Sequence, residues 1–151
     1  MPNYKRLFLK DYNYVFFTIV TNNRNPILID NIKLLKESFK YAKNKFDFEI
    51  FAIVVLPEHI HFILKIANIE EYPKIIYSFK YYFSCHLPKN ENISVSKFKK
   101  GEKGIWQRRY WEHTIRDEVD LQKHIDYIHF NPIKHDYVKS IIDWKYSSFN
   151  K

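Results

Sequence analysis

Pro57-Glu58-His59-Ile60-His61-Phe62-Ile63-Leu64 holds two histidines two residues apart at the head of an apolar run. On a β-strand, side chains alternate between faces, so His59 and His61 point the same way. Two neutral imidazoles side by side can take two positions on one divalent metal ion and leave the others to oxygen ligands. Such an open site suits a catalytic ion that polarises a phosphate oxygen. The same spacing also fits a polar strand edge, so it does not decide the matter alone. A second constellation follows downstream. His124, Tyr127 and Asn131 recur at spacings of 3 and 4, one face of a helix, while Leu121, Ile125 and Ile128 form an apolar stripe beside them. Position alone does not single out Tyr127 among 12 tyrosines. His124 is a candidate general base by position, with a packing histidine as the plainer reading.

These groups need a scaffold. Tyr12 to Thr21, rich in aromatic and β-branched residues, reads as a first, central strand. Leu28, Ile32, Leu35, Phe39, Ala42 and Phe46 lie at helical spacing. Phe48 to Leu56 and His59 to Ile66 read as two strands joined by the Pro57-Glu58 turn, an antiparallel hairpin. Tyr72, Ile76, Phe79 and Phe83 mark a second helix, with Pro73 in its first turn. Residues 88–104 read as a lysine-rich loop. Ile105 to Arg116 reads as strand four, and Asp117 as the N-cap of a third helix ending near Asn131, because Pro132 follows. The order β-α-β-β-α-β plus a helix is an α+β, ferredoxin-like arrangement. Two helices then cover one sheet face and leave the other bare, with the histidine pair on the bare face and the third helix nearby. The tail from Trp144 to Ser148 is expected to pack back on the domain.

Composition narrows the partners. The 151 residues fit one domain spanning 1–151. The net charge of +8 points to a polyanion, most simply nucleic acid. Arg108, Arg109 and Arg116 interleave with Trp106, Tyr110 and Trp111, so cations for phosphates stand beside planes for unpaired bases. Lys97, Lys99 and Lys100 add a diffuse basic patch. The two glycines, Gly101 and Gly104, supply no phosphate-binding loop of the Walker or Rossmann kind. The single cysteine, Cys85, excludes an internal disulfide and fits a reducing cytoplasm. No apolar run is long enough to cross a membrane as a helix.

Three segments, VVLPEHIHFIL, IWQRRYWEHTIRDEVDLQKHIDYIHFNPIKH and DWKYSS, resemble the hallmark segments of REP-associated tyrosine transposases, a group of the single-tyrosine HUH (His-hydrophobe-His) transposases. The likeness runs from about Phe16 to Phe149. It implies a ferredoxin-like domain with the histidine pair on a central strand, and here His59 and His61 match the pair. It implies a nucleophilic tyrosine on the helix after the last strand, matched by Tyr127, and an amide metal ligand four residues on, matched by Asn131. Mobile relatives often carry Gln there, and Asn is shorter. The implied activity is metal-dependent cleavage and rejoining of single-stranded DNA at hairpins, REP-like palindromes, through a 5′-phosphotyrosine, with Mg²⁺ or Mn²⁺ as the ion. The protein would act as a monomer or as a homodimer exchanging the tyrosine helix. Two other classes remain: a hairpin-binding module that does not cut, and an RNA-binding ferredoxin-like domain. Neither predicts a metal on His59 and His61 or a covalent adduct on Tyr127.

Overall fold

The computed structural model describes residues 13–87 and 104–148. Four strands form one antiparallel sheet: β1 (Asn13–Val20), β2 (Phe48–Val55), β3 (His59–Ile66) and β4 (Trp111–Thr114), in the spatial order β2-β3-β1-β4. Three helices accompany them: α1 (Ile32–Lys43), α2 (Tyr72–Cys85) and α3 (Glu118–Lys134). This is the expected β-α-β-β-α-β order followed by a helix, and β1 and β3 are the two inner strands.

Alternation along the strands sorts the core into two layers. Val15, Phe17 and Ile19 of β1 and Ile60, Phe62, Leu64 and Ile66 of β3 face α1 and α2, where Leu35, Phe39, Ile76, Phe79 and Phe83 meet them. Tyr14, Phe16, Ala52, Val54 and Ile63 face the other way and pack on Leu121, Ile125 and Ile128 of α3. The second face is therefore not bare. The apolar stripe of α3 is its cover, because the inner strands are apolar on both sides and would otherwise expose Phe16 and Ile63 to water.

Several boundaries differ from the expected ones. α1 starts at Ile32, although Leu28 and Phe46 still join the core or pack on it from outside the helix. The fourth strand shrinks to Trp111–Thr114. Its ladder pairs Thr18 with Trp111, whereas Thr21 bridges Trp106. Ile19 and Val20 are thus opposed by Gln107 to Tyr110, a local bulge that turns Arg108 and Arg109 to solvent. α3 runs past Asn131 and Pro132 to Lys134. Proline costs a helix one donor and crowds the carbonyl four residues back, yet here, in the last turn, Asn131 and Pro132 are both buried and the helix continues. Asp117 caps α3 as expected, its carboxylate accepting from the Asp120 amide at 2.8 Å.

The tail returns to the sheet edge. Val55 N donates to Tyr146 O at 2.8 Å, Ile53 N to Ser148 Oγ at 2.9 Å, and the Trp144 indole to Val55 O at 2.9 Å. These bonds satisfy part of the outer edge of β2. Among the described residues no helix is long and apolar enough to cross a membrane.

Candidate active site

β3 presents His59 and His61 on the α3 face, each 4% exposed, with ring centroids 4.7 Å apart. The strand pairing places Thr18 of β1 directly opposite His61, and Thr18 Oγ1 lies 2.7 Å from His61 Nδ1. The turn places Glu58 beside His59, with Oε1 2.8 Å from Nδ1. Both imidazoles are therefore gripped at Nδ1. α3 crosses above them. Its Tyr127 ring centroid is 5.1 Å from that of His61, and Asn131 Oδ1 is 3.4 Å from His59 Nε2. The four residues that the sequence pairs across 72 positions thus converge on one patch, all from one chain.

Exposure divides them. Asn131 is fully buried, and its Nδ2 has no hydrogen-bond partner among the described residues. Tyr127 is 38% exposed and open to a ligand from solvent. Lys134 Nζ stands 5.0 Å from the Tyr127 ring centre. Phe16 forms the floor between, with its ring 5.8 Å from His61 and 6.1 Å from Tyr127.

Burial, followed by the positive fields of His59, His135 and Lys134, pushes His61 down to about 3. Burial also lowers His59, although the Glu58 carboxylate pulls the other way. Neutral imidazoles keep one nitrogen lone pair each, the form that ligates a metal.

A second cluster lies at the junction of β4 and α3. His113 Nε2 is 2.8 Å from Asp120 Oδ2, and His124 Nδ1 is 3.2 Å from Asp120 Oδ1. The ligand atoms of all three fall within 4.8 Å of one another, a spacing that could hold a metal ion. Burial works to raise Asp120, but hydrogen bonds from the Arg116 amide and from His113 hold it below its ordinary value. His124, the base suggested by position, turns its Nδ1 to Asp120 rather than to Tyr127, and its ring packs on Phe16 at 4.7 Å.

The arginine-aromatic segment separates into two groups. Trp106 is only 6% exposed, wedged against Phe79 and Phe83 with its indole N–H donated to Lys80 O at 3.2 Å. It is a core residue, which corrects the expectation that it stacks on bases. Arg108, Arg109 and Arg116 are exposed, and Trp111, at 65%, is the exposed aromatic of the segment. Lys97, Lys99 and Lys100 lie outside the described residues. The sequence did not single out Glu58 or Thr18, and only the strand register exposes their link to the histidines.

The model of the "Transposase IS200 like" family matches residues 10–131. The chain belongs to this family. A Haemophilus influenzae protein named "Putative REP-associated tyrosine transposase" is 43% identical over the whole of this chain and 87% of its own length. A REP-associated tyrosine transposase of Escherichia coli is 32% identical, again over the whole of this chain and 84% of its own length. A solved structure of a REP-associated tyrosine transposase bound to a REP hairpin superposes with a TM-score of 0.76 at 34% identity, covering 99% of this chain and 84% of that one. The expected resemblance and the ferredoxin-like fold are thereby established, and this IS200-like chain is a transposase of the REP-associated tyrosine group.

Proposed function

We propose that this transposase cleaves and rejoins single-stranded DNA at hairpins, with Tyr127 as nucleophile and with His59, His61 and Asn131 holding a divalent ion. The observation that carries this reading is the meeting of these four side chains, from two distant elements, on one patch of the sheet face. The hairpin in the solved relative supports the substrate class.

The donor set fits a divalent ion. Two imidazole nitrogens and one amide oxygen suit a divalent transition-metal ion such as Mn²⁺ better than the harder Mg²⁺, with open positions for phosphate oxygens. Asn131 Oδ1 faces His59 Nε2 at 3.4 Å, too long for a strong hydrogen bond, and the amide is otherwise orphaned. The His113-Asp120-His124 cluster is the poorer choice. Its carboxylate is already engaged by His113 at 2.8 Å and by the Arg116 amide at 2.9 Å, and His124 Nδ1 lies 2.8 Å from the Asp120 carbonyl oxygen. When bound, the ion supplies positive charge that stabilises charge developing on the scissile phosphate.

The remaining steps belong to this chain. The Tyr127 oxygen attacks phosphorus, the new O–P bond forms, and the bond to the 3′-oxygen breaks. The phenolic proton leaves, and the departing 3′-oxygen gains one to become a 3′-hydroxyl. The product is a 5′-phosphotyrosine. A 3′-hydroxyl reverses the step at the same phosphorus and joins new ends, so no nucleotide hydrolysis is required. Lys134 adds positive charge beside the incoming phosphate. Tyr127 and His61 adjoin within one chain, an arrangement that lets the reaction run in cis.

The test is incubation of the protein with a labelled hairpin pool and Mn²⁺, then a denaturing gel and peptide mapping. An adduct on Tyr127, abolished by Tyr127→Phe and by chelator while hairpin binding persists, is the expected result. Tight hairpin binding with no adduct at full metal occupancy would reduce the protein to a binding module. An adduct on another tyrosine would overturn the assignment of Tyr127.

A further inference from the structure

Glu58 sits at the tip of the β2-β3 turn, and its backbone is pinned from two sides. Thr21 N donates to Glu58 O at 3.0 Å, and Leu28 N donates to Pro57 O at 3.0 Å. The side chain is held as firmly. Its Oε1 is 2.8 Å from His59 Nδ1, and its Oε2 accepts from the Tyr137 hydroxyl at 3.3 Å. The Tyr137 ring in turn packs on Trp144, centroids 5.3 Å apart, and Trp144 is tied to Val55. Arg24 Nη1 reaches Oε1 at 4.0 Å. The carboxylate is therefore clamped between a turn and the returning tail, with one oxygen aimed at one ring nitrogen.

We propose that Glu58 is a positioning residue that fixes the tautomer of His59, keeping the proton on Nδ1 and leaving the Nε2 lone pair free for a ligand. A neutral imidazole has one N–H and one lone pair, and an ionised carboxylate can only accept. At 2.8 Å the shared proton must come from the ring, so Nε2 is left bare. Thr18 does not impose the same choice on His61, because a hydroxyl both donates and accepts. The two histidines are thus unequal: the surroundings dictate one tautomer, and the other ring can adjust. Where a ring ligates metal, such a carboxylate partner also raises its basicity and fixes its orientation. The consequence for metal affinity rests on the ligand set proposed above. The tautomer does not.

The test uses the full-length, metal-free protein labelled with ¹⁵N, and reads the ring nitrogens of His59 at neutral pH by long-range ¹H–¹⁵N correlation. The His59 signals are assigned by their loss in His59→Gln. The wild type should show Nδ1 protonated and Nε2 bare. Glu58→Gln, whose amide both donates and accepts, should yield a mixture. Mn²⁺ titration should then show a dissociation constant about 10- to 100-fold weaker in Glu58→Gln, with the circular dichroism spectrum unchanged. A wild-type His59 protonated on Nε2 would overturn the inference, and so would a Glu58→Gln protein with unaltered tautomer and affinity. Should Glu58→Gln fail to fold, the wild-type tautomer still decides. If the wild type shows the expected tautomer but takes up no Mn²⁺, the metal reading falls and the positioning role stands.

Discussion

At His59 and His61 burial works against protonation, and this has a cost that appears as the pH falls. An unfolded imidazole takes its proton near 6.5, whereas the folded His61 resists until about 3. Between these values the unfolded chain binds more protons, so stability declines as pH falls through that window. From pH 6.5 to 4.5, His61 alone contributes a loss of about 2 kcal/mol. His59 and His129 are lowered too and act in the same direction. Urea unfolding of the metal-free protein at the two pH values should show this loss, and His61→Phe should flatten it. An unchanged midpoint in the wild type would refute the neutral buried pair. The histidine spacing was legible in the sequence, because period 2 on a strand needs no tertiary knowledge. Their partners were not. Thr18 meets His61 only through the β1-β3 register, and Glu58 is tied to the tail by Tyr137.

Helix α3 is the element that brings Tyr127 and Asn131 to the histidines, and its apolar stripe holds it there. Leu121 is fully buried on that stripe, about 1.7 turns before Tyr127. Leu121→Ala should cost about 2–5 kcal/mol, measured by urea unfolding, through lost burial and the cavity left behind. Adduct formation should fall further than hairpin binding if Tyr127 is the nucleophile, as proposed, because it loses its registration while the exposed arginines keep theirs. Equal losses in both would mean that α3 does not position the reaction. The stripe and the Asp117 cap could be read from the sequence, since both are local patterns. The end of the helix could not. A proline usually excludes the preceding residue from helix, yet Asn131 stays helical, and it and Pro132 are both buried. Trp106 misled for a related reason. Alternating arginines and aromatics reveal neither which ring enters the core nor that a bulge interrupts the ladder after Thr18.

Over the whole molecule, charge is the property that composition foretold most directly, and the fold determines where part of it acts. The chain carries +8, and the bulge before β4 turns Arg108 and Arg109 to solvent while Trp106 anchors the segment from beneath. Binding to a hairpin that releases counterions must weaken as salt rises, with a log–log slope of roughly 0.7–0.9 per phosphate neutralised. If the two arginines each meet a phosphate, Arg108→Ala with Arg109→Ala should reduce that slope by about 1.5. Fluorescence anisotropy of a labelled hairpin across a salt series measures it. The affinity deficit of the double variant should be largest at low salt and shrink as salt rises, since the lost contacts are those that salt already weakens. Tyr127→Phe should leave the slope untouched. A double variant whose slope matches the wild type would remove this segment from the DNA-binding surface and leave the positive charge elsewhere on the chain to account for binding.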